Sequence, residues 1–196
     1  MKTPLSDARL GTKAGAPARW NGLHGSSQAL ALLAAARAHG GLVLVVTRNS
    51  HRARVLEQDL KLLRTGDLPI WHLPDRETLP YDPFSAHPDI VSERLAALAA
   101  LGEQRQGILL VPAPILLERL APRSHVLGNN LDLQPGQKLS IDDFREQLLQ
   151  AGYEAVDQVY QSGQFAIRGA LVDLFPTGVS APIRIDLFDD EIETLR

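Results

Sequence analysis

Apolar positions fall into two rhythms along this chain, and the rhythm changes near residue 122. Ser26 to Ala38 is rich in Ala and Leu and apolar nearly all round, which predicts a buried helix ending at Gly40-Gly41. Leu42-Val43-Leu44-Val45-Val46 is an unbroken apolar run, the pattern of a strand covered on both faces. Ser50 is placed to cap the next helix, whose Ala53, Leu56, Leu60 and Leu63 form one stripe before Gly66. Pro69 to Leu73 reads as a short second strand. Leu79 to Phe84 reads as extended chain, because each proline disfavours helix in the residue before it. Pro88 suits the first turn of a helix, with Val91, Leu95 and Leu98 along one face as far as Leu101. Gly107 to Val111 is a third buried strand, followed by a short helix through Leu120. Strands separated by helices imply a parallel sheet with right-handed crossovers. Three strands make a thin sheet, so part of this domain is expected elsewhere.

After Pro122 one amphipathic helix spans Ser140 to Gln150, with Ile141, Phe144, Leu148 and Leu149 on a shared face. Ser140 and Asp143 have capping-box spacing, and Gly152 follows the helix. Strand patterns then take over: Ala155 to Gln161, Phe165 to Phe175 with Gly169 as a bulge, Ile183 to Phe188, and Glu191 to Leu195. Ser162-Gly163 and Asp189-Asp190 suit hairpin turns. The expected fold class is α/β: an incomplete parallel-sheet domain over 23–122, preceded by an extension over 1–22, then an α+β domain with a mostly antiparallel sheet over 123–196.

Composition narrows the chemistry. The 196 residues are 44% hydrophobic and 22% charged, which is globular rather than disordered. The absence of cysteine excludes disulfide scaffolds, thiolate zinc sites and cysteine nucleophiles, and makes a reducing compartment, the cytoplasm, the expected home. No apolar run approaches bilayer length, and Met1-Lys2 leads into a polar segment without the apolar core of a secretory signal. The net charge of −3 is unevenly divided. Residues 1–122 hold 14 Lys/Arg against 11 Asp/Glu, whereas residues 123–196 hold 6 against 12. Neither half is basic enough for strong nonspecific phosphate binding, and a protein partner suits the acidic half better.

Gly22-Leu23-His24-Gly25-Ser26-Ser27-Gln28-Ala29-Leu30 opens a buried helix that a parallel strand follows, the setting of a phosphate-binding loop. Such a loop needs a lysine for the phosphates and a hydroxyl for magnesium, but Gln28 and Ala29 occupy those positions. Gly25, Ser26 and Ser27 then read as a helix-capping turn, and hydrolysis is not expected. The histidines show no metal-ligand spacing, and Asp189-Asp190-Glu191 reads as a solvated turn rather than a metal site. Asp75, Glu77 and Asp82 lack a companion nucleophile. No catalytic residue is assigned.

Alternation marks a different kind of site. In Ile183 to Phe188, Ile183, Ile185 and Leu187 share one face and Arg184, Asp186 and Phe188 the other. Arg168 likewise lies opposite Phe165 and Ile167, so neighbouring strands would join Arg168 and Arg184 into one patch. An aromatic beside arginines on a polar face has the composition of a protein-binding hot spot. The competing reading packs Phe188 under a loop and pairs the arginines with Asp186 or Asp189.

Three stretches carry a family resemblance: Arg76-Glu77-Thr78-Leu79-Pro80-Tyr81-Asp82-Pro83-Phe84-Ser85, the run from Gln161 through Arg168-Gly169-Ala170-Leu171-Val172-Asp173 to Pro176, and Arg184 to Ile192. Over Leu23 to Arg196 the chain resembles the amino-terminal module of the bacterial transcription-repair coupling factor (Mfd) family, itself similar to the damage-recognition protein UvrB. The resemblance implies a RecA-like first domain that has lost its nucleotide site and a second domain that docks the repair ATPase UvrA. By motif it implies that Arg168, Arg184 and Phe188 contact UvrA, with Phe165, Asp189 and Glu191 nearby. Between Tyr81 and Pro88 there is no room for the aromatic hairpin with which UvrB clamps DNA, so direct damage verification is not implied. ATP with magnesium, DNA and RNA polymerase would engage only the motor and other regions of a full-length parent. The rivals at this point are a RecA-class nucleotide-binding or helicase domain and a UvrB-like DNA-damage-binding module.

Overall fold

The computed structural model describes residues 17–78, 82–128 and 131–196. Most of the extension expected over 1–22, and Leu79, Pro80 and Tyr81 of the Pro-rich stretch, lie outside the described residues. The elements are α1 (Ser27–His39), β1 (Leu42–Thr47), α2 (Ser50–Leu63), β2 (Ile70–His72), α3 (Pro88–Glu103), β3 (Gly107–Pro112), α4 (Arg123–Gly128), α5 (Ile141–Gln150), β4 (Glu154–Ala155), β5 (Gln164–Arg168), β6 (Leu171–Leu174), β7 (Ile183–Phe188) and β8 (Glu191–Leu195). They form two compact units, one from residues up to Asp75 with Glu103–Arg119, the other from Arg76–Gly102 with Leu120–Arg196. Residues 76–102, which the sequence pattern groups with the first sheet, thus belong to the second unit.

The first unit is a three-stranded parallel sheet in the order β1-β3-β2. All six residues of β3 are buried, as its continuous apolar run requires of a central strand. Helices α1 and α2 bury Ala29, Leu33, Ala36, Leu56 and Leu60 against Ile108 and Leu110, with Val43 and Val45 packed alongside. Both helices press on the same face of β1. Leu42, Leu44 and Val46 therefore remain exposed, and the expectation of a strand covered on both faces is corrected. The cap of α2 is Asn49, one residue earlier than expected; its side chain accepts the N–H of Arg52 at 2.9 Å. Gly107 has φ 144°, and a Cβ there would stand 2.8 Å from the carbonyl oxygen of Pro69, so glycine allows β2 to approach. The helix expected through Leu120 is a short 3-10 turn, Ala113–Leu117.

The second unit is built on a mixed five-stranded sheet in the order β4-β5-β6-β7-β8, parallel between β4 and β5 and antiparallel elsewhere. Its core joins Phe144 and Leu148 of α5 to Phe165, Val172, Leu174, Ile185, Leu187 and Ile192. Ser140 caps α5 through Asp143 N–H as its spacing predicts. Leu149, expected on the buried face, is exposed because the core takes Phe144 and Leu148. The span Phe165 to Phe175 is two strands rather than one bulged strand. Gly169, at φ 61°, and Ala170 form a two-residue loop closed by the pair Arg168 and Leu171. Asp189-Asp190 turns β7 into β8 as expected, with Asp189 at φ 59°. Ser162-Gly163 is not a hairpin turn, since the strands it precedes and follows run parallel, and β4 is only two residues long.

Helix α3 reverses an expectation. Its buried residues are Ser92, Arg94 and Ala97, while Val91 is exposed. Ser92 Oγ accepts the N–H of Gly178 at 2.7 Å, and a Cβ on Gly178 would lie 3.3 Å from Ala96. Small residues let the loop after β6 sit directly on the helix. Packing follows that loop rather than the Val91-Leu95-Leu98 stripe.

Candidate partner-binding face

One side of the second sheet is the core; the other carries the charged residues. Register places Ala166, Asp173 and Arg184 in a row across β5, β6 and β7, all pointing away from the core. The two arginines singled out by alternation are not on adjacent strands. Asp173 lies between them and joins them. Arg184 Nε donates to Asp173 Oδ1 at 2.5 Å and its Nη2 to Oδ2 at 2.8 Å, while Arg168 donates to the same Oδ2. The Asp173 carboxyl is held below the usual carboxylate range, chiefly by the Arg184 hydrogen bonds, with burial opposing and Arg168 assisting. Arg184 is correspondingly raised by Asp173. The competing reading paired these arginines with Asp186 or Asp189; their partner is Asp173. Asp186 instead accepts from Arg196 at 3.1 Å and from Thr194 Oγ1 at 2.6 Å.

The arginine side chains keep 54% (Arg168) and 41% (Arg184) of their surface in solvent. Together with Arg196, Gln158 and Val159 they line an open depression of about 470 Å³ with Asp173 in its wall. Phe188, at the end of β7 on the same face, is 76% exposed, so it does not pack under a loop. It stands four residues from Arg184, about 13 Å along the strand. Across the hairpin it faces Glu191, and both Asp189 and Glu191 are exposed. Phe165 is different: at 1% exposure it belongs to the core face, and its side chain is not on this surface. Asp190 pairs with Lys138 at 3.1 Å. Among the described residues no cluster of three or more His, Asp or Glu side chains has metal-holding geometry, and no helix is long and apolar enough to cross a membrane.

The glycine turn of the first unit is also in place. Gly25 has φ 56°, Ser27 Oγ donates to the carbonyl of His24 at 2.6 Å, and Gln28 Oε1 accepts from Arg52 at 2.5 Å. Ser26 sits at the cap of α1 without a side-chain cap bond, and Ala29 is fully buried. Gln28 is therefore tied to α2, and the turn is fastened by Ser27.

Comparison with known proteins bears on the unit that carries the charged face. Residues 131–196 match the UvrB interaction domain. This segment contains Arg168, Asp173, Arg184 and Phe188. Over 187 residues, 95% of its length, the chain is 42% identical to the transcription-repair-coupling factor of Escherichia coli (strain K12). It is 44% identical over 170 residues to that of Haemophilus influenzae, and 30% identical over 154 residues to that of Staphylococcus aureus (strain USA300). These alignments cover 16%, 15% and 13% of the respective relatives. The chain thus spans a small part of the curated relatives it matches, and the resemblance read from its motifs holds over most of its own length. What sequence reasoning missed on the UvrB-interaction segment is Asp173. Its position between two arginines becomes visible only when Gly169-Ala170 is read as a loop.

Proposed function

We propose that this chain is a UvrA-docking adaptor module of a transcription-repair coupling factor, linking stalled RNA polymerase to nucleotide excision repair. The observation that carries the reading is the coincidence of the UvrB-interaction match with a solvent-facing pair of arginines and an exposed phenylalanine on one sheet face. Three arginines against one aspartate line the depression, so its complement is a carboxylate-bearing surface. Phe188 adds an aromatic anchor of the kind that dominates interface energetics. Phe165 supports the face from beneath, and Asp189 and Glu191 flank it.

In this reading the first unit is a RecA-like scaffold without nucleotide chemistry. Gln28 brings no charge where phosphates need a lysine, Ala29 brings no hydroxyl for magnesium, and Arg52 occupies Gln28. ATP hydrolysis, DNA translocation and RNA polymerase contact belong to other parts of a longer protein, which works in the cytoplasm.

The test is a UvrA pull-down with Arg168→Glu and Arg184→Glu. Each is expected to abolish capture while keeping the circular dichroism spectrum of the chain, with the melting temperature lowered only modestly by loss of the pairing with Asp173. Wild-type capture by both variants would overturn the reading. Equilibrium dialysis with labelled ATP checks the scaffold: no retention is expected, and micromolar binding would restore the nucleotide-site alternative.

A further inference from the structure

The fork of Arg168, Asp173 and Arg184 is more than an ion pair on a surface. An arginine carries extensive rotamer freedom, and ordering such side chains at an interface opposes binding. Here a single carboxylate on the middle strand reaches both neighbours. It engages Arg184 through two parallel N–H···O bonds and Arg168 through one, and its own side chain is only 14% exposed. Arg184 spends Nε and one Nη2 hydrogen on Asp173, which leaves its Nη1 hydrogens and the second Nη2 hydrogen for a partner at the depression that Arg184 lines. The two-residue loop at Gly169-Ala170 sets this geometry, because it folds β6 back between the strands that carry the arginines.

We infer that Asp173 is a positioning residue for docking: it presets both guanidiniums before the partner arrives, so that an acidic group of the partner meets an ordered pair. This rests on the proposed UvrA reading and assigns a role to a residue that acts through the two arginines it holds. It also makes a prediction opposite to that of simple charge. Asp173 is the one acid among the three arginines of the depression, so removing it raises the positive charge offered to an acidic partner. If charge alone governed docking, its loss would tighten binding. If preset geometry governs, its loss weakens binding.

The experiment measures UvrA binding by isothermal titration for wild type, Asp173→Asn and Glu193→Gln at one salt concentration. Glu193→Gln removes the same charge from an exposed position on β8 outside the fork. Asp173→Asn is expected to bind about tenfold more weakly, and Glu193→Gln as wild type or slightly tighter. Nitrogen-15 NMR supplies a readout that net charge does not move: a distinct, slowly exchanging Arg184 Nε–H signal in wild type, collapsed into the bulk arginine signals in Asp173→Asn. Binding by Asp173→Asn at wild-type strength or tighter, or equal losses in both variants, would overturn the inference and leave the UvrA reading standing. A wild-type chain that fails to bind UvrA would overturn both. Should Asp173→Asn melt below the assay temperature, Asp173→Glu replaces it, keeping the charge while displacing the fork by one methylene, with the same two outcomes.

Discussion

Two phenylalanines of the same sheet sit on opposite faces and have opposite consequences. Phe165 on β5 is 1% exposed among Phe144, Val172, Leu174 and Ile185, whereas Phe188 on β7 is 76% exposed beside a charged row. Residue type does not distinguish them. Pleat does, since each strand alternates its side chains between the α5 side and the open side. The core face is apolar and holds the fold. The open face is charged, internally paired and without a covering helix among the described residues, which is where an antiparallel sheet is able to meet another molecule.

The largest effect that would break this contrast belongs to the core face. Phe165→Ala is expected to destabilise the second unit by about 3–5 kcal/mol, the cost of an unfilled aromatic cavity. Chemical denaturation of the chain checks it, and a loss below 1 kcal/mol would show that Phe165 is not part of the core.

A smaller effect comes from the ionic row, and its sign follows from the lowered Asp173 carboxyl. In the unfolded chain this group titrates in the usual carboxylate range, and in the fold it titrates lower. The fork therefore stabilises the fold above the usual range and loses that contribution as pH falls through the folded value. The melting-temperature gap between wild type and Asp173→Asn should be widest above the usual carboxylate range and close as pH falls below it. Solvent screening of the exposed arginines keeps the gap modest. A gap that widens on acidification would contradict the assignment. The first unit offers an independent case. Glu57 is held down to about 2, first by the hydrogen bond from His72 Nδ1 at 3.2 Å and then by Lys61 at 2.6 Å, against the opposing effect of burial. Glu57→Gln should likewise differ from wild type above the carboxylate range and converge with it only near pH 2.

The smallest effect is on the open face away from the fork. Thr194→Ala removes one exposed hydrogen bond to Asp186, 2.6 Å long, and is expected to change stability by no more than about 0.5 kcal/mol in the same denaturation assay. A loss above 2 kcal/mol would mean that this face also holds the fold together.

Much of this face was readable from alternation alone. Ile183 to Phe188 needed only its period of two to place Arg184, Asp186 and Phe188 together, and Arg168 followed from the same rule. Asp173 was not readable, because Gly169 suited a bulge as well as a turn. As a bulge it leaves one long strand, in which Asp173 has no arginine on either side. The same limit appears in β1, where an unbroken apolar run reads as two-sided burial although both helices pack on one face. It appears again in α3, where a Leu/Val stripe is the stronger pattern but Ser92 and Ala96 make the contact with Gly178. Local pattern identifies elements and faces; which element lies beside which depends on loops and on small residues that periodicity ignores. The missing lysine at Gln28 was visible at once, whereas its hydrogen bond to Arg52, 24 residues away, was not.

The most direct test of the central claim is a titration of UvrA with the wild-type chain and with Phe188→Ala. Phe188 is exposed and outside the core, so the variant should melt as wild type does. The account predicts saturable binding by wild type and a loss of about 2 kcal/mol, roughly thirtyfold in affinity, for Phe188→Ala. Equal affinities for the two chains, or no binding by the wild type, would contradict it.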